Sequence, residues 1–210
     1  MATSDDLADL TRVDTTDARR AAAALARAFQ DDPLMRYAIP DADERRRLLP
    51  WLIGFNVRYG CRYGEVYATP EYAGVAIWLP PEQPRFTFWR MVRAGMLAAP
   101  IRLRWSVVRR LMAVEGTAAM LHERCAPEPH WYLSQIGVEP SQQRQGIASR
   151  LLRPMLARID AAALPCYLET ENEANVAFYQ RHGFQIAAEA VAPSGGPRVW
   201  GMLRTRIASE

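Results

Sequence analysis

The chain contains no lysine; all 26 of its basic residues are arginine. A GxxxxGK[ST] phosphate loop is therefore excluded. Cysteine is also scarce: Cys61, Cys125 and Cys166 stand apart, with no CxxC pair. That argues against a disulfide framework and a cysteine-based zinc site, and suits a reducing compartment. The three histidines do not cluster with the cysteines, so no metal site is readable. No uncharged apolar run approaches the roughly 20 residues that span a bilayer. The N-terminus, MATSDDLADL, is acidic and lacks a basic-then-apolar signal pattern. A cytoplasmic protein without stable membrane association is expected. The net charge of +3 is mild, and half of the residues are hydrophobic. A chain of 210 residues with that composition can bury a core without staples, as one domain covering 1–210.

Periodicity supplies the elements. LTRVD (10–14) reads as a short strand. Asp17 is placed to cap a helix running through DARRAAAALARAFQ, which Asp31-Asp32-Pro33 ends. A second helical pattern covers about 43–60. EVYAT (65–69) and YAGVAIWLP (72–80) are strand-like, joined at Pro70. From Phe86 to about Arg124 two amphipathic helices follow, divided at Pro100. Their arginines (Arg90, Arg93, Arg102, Arg104, Arg109, Arg110) could face an anionic partner. The favoured reading is a solvated face over packed Trp and Met, with no nucleic acid bound. HWYLSQIGV (130–138) is a strand, about 145–160 a helix that Pro154 should kink, and LPCYLET (164–170) a strand. Asn175 to His182 is a short helix closed by Gly183, and FQIAAEAVA and RVWGMLRTR are strands about the turn PSGGP. Alternating strands and helices give a mixed α/β sheet with a parallel portion.

The stretch QQRQGIASRLL (142–152) lies between a strand and a helix. The first turn of a helix has N–H groups without intrahelical partners and a partial positive charge, which together hold anions. Gly146, Ala148 and Ser149 are small enough for close approach, and Arg144 adds a charge matched to phosphate. Alone, a glycine here is more often just a turn.

Its neighbours narrow the reading. Gln143-Arg144-Gln145-Gly146-Ile147-Ala148 fits the pattern [Q/R]-x-x-G-x-[G/A]. Asn172-Glu173-Ala174-Asn175-Val176-Ala177-Phe178-Tyr179, followed by Gly183-Phe184, fits an Asn…Tyr…Gly-Phe pattern in the right order. The set resembles the GNAT superfamily of acyl-CoA-dependent N-acyltransferases. AFQDDPLMRYAI, GVAIWLPPE, EPHWYLSQIGVEPSQQRQGIASRLLRP, LPCYLETENEANVAFYQRHGF and GPRVWGMLR are similar to segments of the puromycin N-acetyltransferase group. Ala148 departs from the commoner second glycine, and Gln145 stands where a basic residue is frequent.

The resemblance implies a GNAT fold, a mostly antiparallel mixed sheet. It is splayed at the central parallel strands, flanked by helices, and carries a helical insertion at about 86–124. It implies acetyl-CoA as co-substrate, no metal, and direct transfer to a small-molecule amine, an antibiotic or metabolite, by a monomer or homodimer. Ile136, Gly137 and Val138 would pair with the pantetheine arm. Gln143, Arg144, Gln145, Gly146, Ile147, Ala148 and Ser149 would cradle the pyrophosphate, and Asn172, Asn175 and Phe178 would border the cofactor. Tyr179 would be the general acid, since a phenol suits a thiolate leaving group. Glu169 would be the base, with Asp31, Asp32 and Glu171 as alternatives. Cys166, in an apolar setting, is expected to be inert. His130 and His182 are expected to be structural. The acceptor would be bordered by DDPLMRY, the helix after it and the insertion, with Tyr37, Trp51, Phe88 and Trp131 as candidate liners. A protein amine as acceptor, or a non-catalytic acyl-CoA-binding module, are the alternatives.

Overall fold

The computed structural model describes residues 7, 9–82, 87–94 and 102–205. The elements run β1 (Thr11–Arg12), α1 (Ala18–Ala28), α2 (Pro33–Ala38), α3 (Ala42–Tyr63), β2 (Glu65–Ala68) and β3 (Gly74–Leu79). They continue as α4 (Phe88–Ala94), α5 (Trp105–Cys125), β4 (Trp131–Val138), α6 (Ile147–Ala161) and β5 (Cys166–Thr170). The last are α7 (Glu173–Gln180), β6 (Gln185–Val191) and β7 (Arg198–Arg204). The strands form one seven-stranded sheet in the order β1-β2-β3-β4-β5-β7-β6. Every pairing is antiparallel except β4 with β5, which is parallel. This is the expected splayed GNAT fold.

The period of two in each strand sorts side chains to the two faces. Val66, Ala68, Val75, Ile77 and Val199 pack with α1, α2, α3 and α5. Tyr67, Ala76, Trp78, Leu133, Cys166, Leu168 and Met202 pack with α6 and α7. On α6 the residues Leu151, Leu152, Met155 and Ile159 lie on one stripe and are fully buried. Burial of such a side chain contributes roughly 1.5–3 kcal/mol. Small residues set the close approaches. A Cβ on Gly137 would lie 2.8 Å from Leu25 Cδ2 and 2.9 Å from Ala28 Cβ, so α1 rides directly on β4.

Local differences from the sequence reading have simple causes. Asp17 sits at the N-cap of α1 but makes no side-chain cap bond. Asp32 does cap. Its carboxylate accepts from Leu34 N (3.0 Å) and Met35 N (3.4 Å), and Pro33 at the first helical position opens α2, a helix the sequence reading did not anticipate. The short helix α7 begins at Glu173, not Asn175, because Asn172 Oδ1 accepts from Ala174 N at 3.1 Å. In the insertion, Arg90, Arg102 and Arg110 stand over the rings of Tyr63, Trp51 and Tyr37. Those guanidinium groups cover aromatic surface. The expected helix over 86–99 is described only as far as Ala94; residues 95–101 lie outside the described residues. The helices α3 and α6 continue past Pro50 and Pro154 respectively.

Candidate active site

The parallel pair opens almost as soon as it forms. β4 and β5 are in register only at Trp131↔Cys166 and Tyr132↔Tyr167. On its other side β4 stays paired with β3 up to Gly74↔Val138, and the register skips Ser134 there, a bulge in β4. Glu139 N donates to Ala73 O at 2.7 Å, and Gly137 pairs with Val75. Peptide groups alternate sides along a strand, so those of Ile136 and Val138 face the gap. Gln143 Nε2 already donates to Val138 O at 3.2 Å. An extended amide ligand would therefore add onto the edge at Ile136, the way a strand adds to a sheet.

The loop after β4 brings the chain to the N-terminus of α6. Its start is held by Arg27 of α1, whose Nε is 2.8 Å from Glu139 Oε2. Arg144 and Gly146 both have left-handed backbone, with φ of 63° and 81°. Gly146 is the N-cap of α6, and no side chain caps that end. A Cβ on Gly146 would meet no atom within 4 Å. Backbone conformation, and not space, is what requires glycine here. The first-turn N–H groups of α6 thus face outward beside an exposed Arg144, a suitable seat for a diphosphate.

Inside the gap lies a cleft of about 110 Å³. Its walls include Asp32, Glu115, Ser134, Gln135, Ile136, Glu169, Glu171, Asn175 and Tyr179. Neighbouring positions on a strand belong to opposite faces, so Leu168 packs with α6 and α7 while Glu169 turns to α5. Tyr179 comes from α7 on the other face. The split in the sheet is what joins a carboxylate from one face to a phenol from the other.

Tyr179 is placed by the end of its helix. Gly183 adopts φ 85°, which lets Phe184 N donate to Tyr179 O at 3.2 Å. The Phe184 ring then packs edge-on against the Tyr179 ring, with centroids 5.9 Å apart. The sequence RHGF is thus a C-cap that fixes the phenol. Burial, and then the negative charges of Glu171 and Asp32, push the phenol above its ordinary range. It is a proton carrier at neutral pH.

The carboxylates differ among themselves. Burial pushes Asp32 up to about 6, against the opposing bonds from Met35 N and Leu34 N. Burial, and then the charges of Asp32, Glu115 and Glu169, push Glu171 up to about 8. Surrounding protein and Glu169 also raise Glu115, less firmly, because its side chain on α5 still reaches solvent. The Glu169 side chain is only 4% exposed and neither oxygen has a hydrogen-bond partner. His122 Nδ1 lies 3.3 Å from Glu169 Oε1. Behind it, His122 Nε2 is 2.8 Å from His130 Nε2, and His130 Nδ1 is 2.8 Å from Pro127 O. A carbonyl only accepts, so His130 Nδ1 carries a hydrogen. Pro127 O, His130, His122 and Glu169 thus form one continuous chain of contacts.

Comparison with known proteins agrees with this geometry. The family model "Acetyltransferase (GNAT) domain" matches residues 105–186. The fold around that segment is the GNAT fold. An uncharacterised N-acetyltransferase of Schizosaccharomyces pombe is 28% identical over 181 residues, 82% of this chain and 72% of that protein. A histone acetyltransferase HPA2 and related acetyltransferase from Corynebacterium glutamicum superposes with TM-score 0.65 at 21% identity, covering 95% and 97% of the two chains. A polyamine N-acetyltransferase of Drosophila melanogaster gives TM-score 0.56 at 15% identity, covering 92% and 97%. At these identities the two structures establish the fold. These relatives do not support the narrower resemblance to the puromycin-modifying group.

The match begins at Trp105, so α5 lies within the matched segment. Of the residues expected in its site, Ile136, Asn175, Glu169 and Tyr179 line the cleft. Gln143 to Ser149 lie at the end of β4, where the gap opens. Asn172 caps α7, Phe178 packs on Tyr179 and His182, and Gly137 holds α1 against β4. Asp31 is exposed beside Arg45 and does not line the cleft. Of the aromatics expected around the acceptor, Tyr37, Trp51 and Trp131 do not line it either. Trp51 and Trp131 pack in hydrophobic clusters, and Tyr37 donates to Pro193 O. The Phe88 side chain lies outside the described residues. Cys166 is buried at the closed end of the parallel pair, its thiol pushed up by burial. Glu115 and His122 were not singled out in the sequence. Each sits mid-helix in an amphipathic pattern that marks it only as polar. Among the described residues no group of three metal-ligating side chains converges, and no helix is long and apolar enough to cross a membrane.

Proposed function

We propose that this protein transfers an acetyl group from acetyl-CoA directly to the primary amine of a small molecule. One observation carries the reading. The break between β4 and β5 puts an unpaired strand edge, a buried carboxylate and a buried phenol around one cleft. Thioester aminolysis needs those parts: a track for the pantetheine amides, a group to take the amine's proton, and a donor for the leaving sulfur. GNAT acetyltransferases use acetyl-CoA. Solved structures of similar fold include an arylalkylamine and a polyamine N-acetyltransferase.

In this reading the diphosphate sits on the N-terminus of α6 and on Arg144, and the arm runs along Ile136 toward the cleft. The amine nitrogen attacks the thioester carbonyl, the C–S bond breaks, and Tyr179 O–H gives its proton to the sulfur. The nitrogen's proton goes to Glu169. His122, whose Nδ1 lies 3.3 Å from Glu169 Oε1, positions that carboxylate. Alignment of two reactants in one cleft contributes about 7–11 kcal/mol in favourable cases, and the acid and base each about 10²–10⁴-fold.

The test is a panel of amines with acetyl-CoA, including puromycin, agmatine and an arylalkylamine, read as free thiol. Acetyl-CoA-dependent release with at least one small amine is expected. Tight acetyl-CoA binding with no release from any amine would overturn the reading in favour of a non-catalytic module.

A further inference from the structure

The cleft is lined by more carboxyl groups than one amine can use. Asp32, Glu115, Glu169 and Glu171 all line it, and no arginine does among the described residues. They arrive from the cap of α2, the middle of α5, β5 and the residue that follows β5. Both oxygens of Glu169 are buried without a hydrogen bond, aimed into the same space. The carboxylates are also not arranged to share an ion, since no metal-binding group of three forms among the described residues. The charge is spread along the cleft, as suits a ligand with separated positive ends.

Resting on the N-acetyltransferase reading, we infer that the acceptor is a slender amine with a second positive centre, a diamine or an amine with a guanidinium tail. The argument is one of charge counting. A monoamine enters as a cation but must react as a neutral nitrogen, and its amide product is neutral. One carboxylate takes the released proton. The others then face one another across the cleft without a cationic side chain among its lining residues. A second ammonium or guanidinium keeps its charge through the reaction and stays paired throughout. Glu171, pushed up first by burial and then by Asp32, Glu115 and Glu169, shows the same crowding in the ligand-free protein. Size points the same way. The cleft measures about 110 Å³, whereas an apolar cavity of roughly 150 Å³ holds a benzene ring. Leu34, Met35, Val114 and Ala118 offer apolar wall for a methylene chain.

The test compares 1,4-diaminobutane with butylamine and phenethylamine on the full-length protein loaded with CoA, by calorimetry at pH 8 and low salt. The diamine is expected to bind at least tenfold more tightly than either monoamine. Glu115→Gln, on a solvent-reaching position of α5, should narrow that ratio at least threefold. Equal binding of diamine and butylamine within twofold overturns the inference, as does tighter binding of phenethylamine. An unchanged ratio in Glu115→Gln does too. Thiol release from acetyl-CoA separates this from the underlying reading. Faster turnover of monoamines overturns the second charge and keeps the acetyltransferase. Selective diamine binding with no thiol release from any amine keeps the dicationic site and overturns the acetyltransferase.

Discussion

The two walls of the cleft are made of different material. On the side proposed for the cofactor the wall offers peptide groups: the edge of β4 at Ile136 and the capless N-terminus of α6 behind Gly146. On the side proposed for the acceptor it offers side chains, Asp32, Glu115, Glu169 and Glu171, set on a frame of α2, α5 and β5. A peptide-built wall is indifferent to most side chains and demanding about backbone angles. A carboxylate-built wall is the reverse, since each charge counts and is tuned by the others. The difference predicts which changes should hurt, and which reactant should feel them.

Tyr179 stands where the walls meet, and its loss should be the largest effect. Tyr179→Phe keeps the packing on Phe184 and removes only the hydroxyl. We expect kcat to fall by about 10²–10⁴, with acetyl-CoA affinity within twofold by calorimetry. Unchanged turnover would remove the phenol from the chemistry. A parallel fall in affinity would place it in the cofactor wall instead.

Glu169→Gln comes next and tests the acceptor wall alone. The amide keeps the volume but cannot take the amine's proton, so kcat should drop by about 10²-fold while the KM for acetyl-CoA stays put. His122→Asn should weaken turnover less, because it removes the neighbour that positions Glu169 and leaves the carboxylate in place. Its signature would be a displaced acid limb in the pH profile of kcat. An identical profile with lower activity would mean that His122 only packs.

The same contrast governs what could be read from sequence. The cofactor wall is contiguous, residues 136–149, so its glycine, small residues and flanking strand form a local pattern. The RHGF cap and Tyr179 are also local, five residues apart at most. The acceptor wall is assembled from residues 32, 115, 169 and 171, which no spacing rule connects. His122 meets His130 only because α5 turns back at Pro127 to enter β4. The helix α2 escaped because its six residues are too few to show a period. Asp-Pro ends one helix and opens the next equally well. Even the glycine was read for size, when its surroundings are empty and its dihedral angle is what matters.

That last point gives a sharper test of the peptide wall. A side chain at the left-handed φ of Gly146 costs about 1–2 kcal/mol, which the loop can relieve only by abandoning the conformation that aims its N–H groups. Gly146→Val should therefore weaken acetyl-CoA binding roughly five- to thirtyfold, although nothing lies in the way of the new Cβ. Gln145→Ala, one residue earlier, should change affinity less than twofold. Equal losses from both would mean that side chains build this wall too.

The smallest effect belongs to the carboxylates at rest, and its sign is fixed by linkage. Glu171 ordinarily ionises near 4.5, but in the fold it keeps its proton up to about 8. Asp32 likewise ionises near 3.8 unfolded and about 6 folded. Between those limits the native state holds more protons than the unfolded chain, so raising the pH favours unfolding. This part of the stability is full below pH 4 and lost as pH rises through about 8. Thermal unfolding of the ligand-free protein should therefore show Tm declining from pH 5 to pH 8. Glu171→Gln should flatten the decline and raise Tm at the alkaline end by a few degrees, since about 1 kcal/mol corresponds to roughly 2–4 °C in a chain of this size. Substitution of exposed Glu173, two residues on, should leave the slope alone. A slope unmoved by Glu171→Gln would mean that the residue is fully solvated, and the acceptor wall would lose a member.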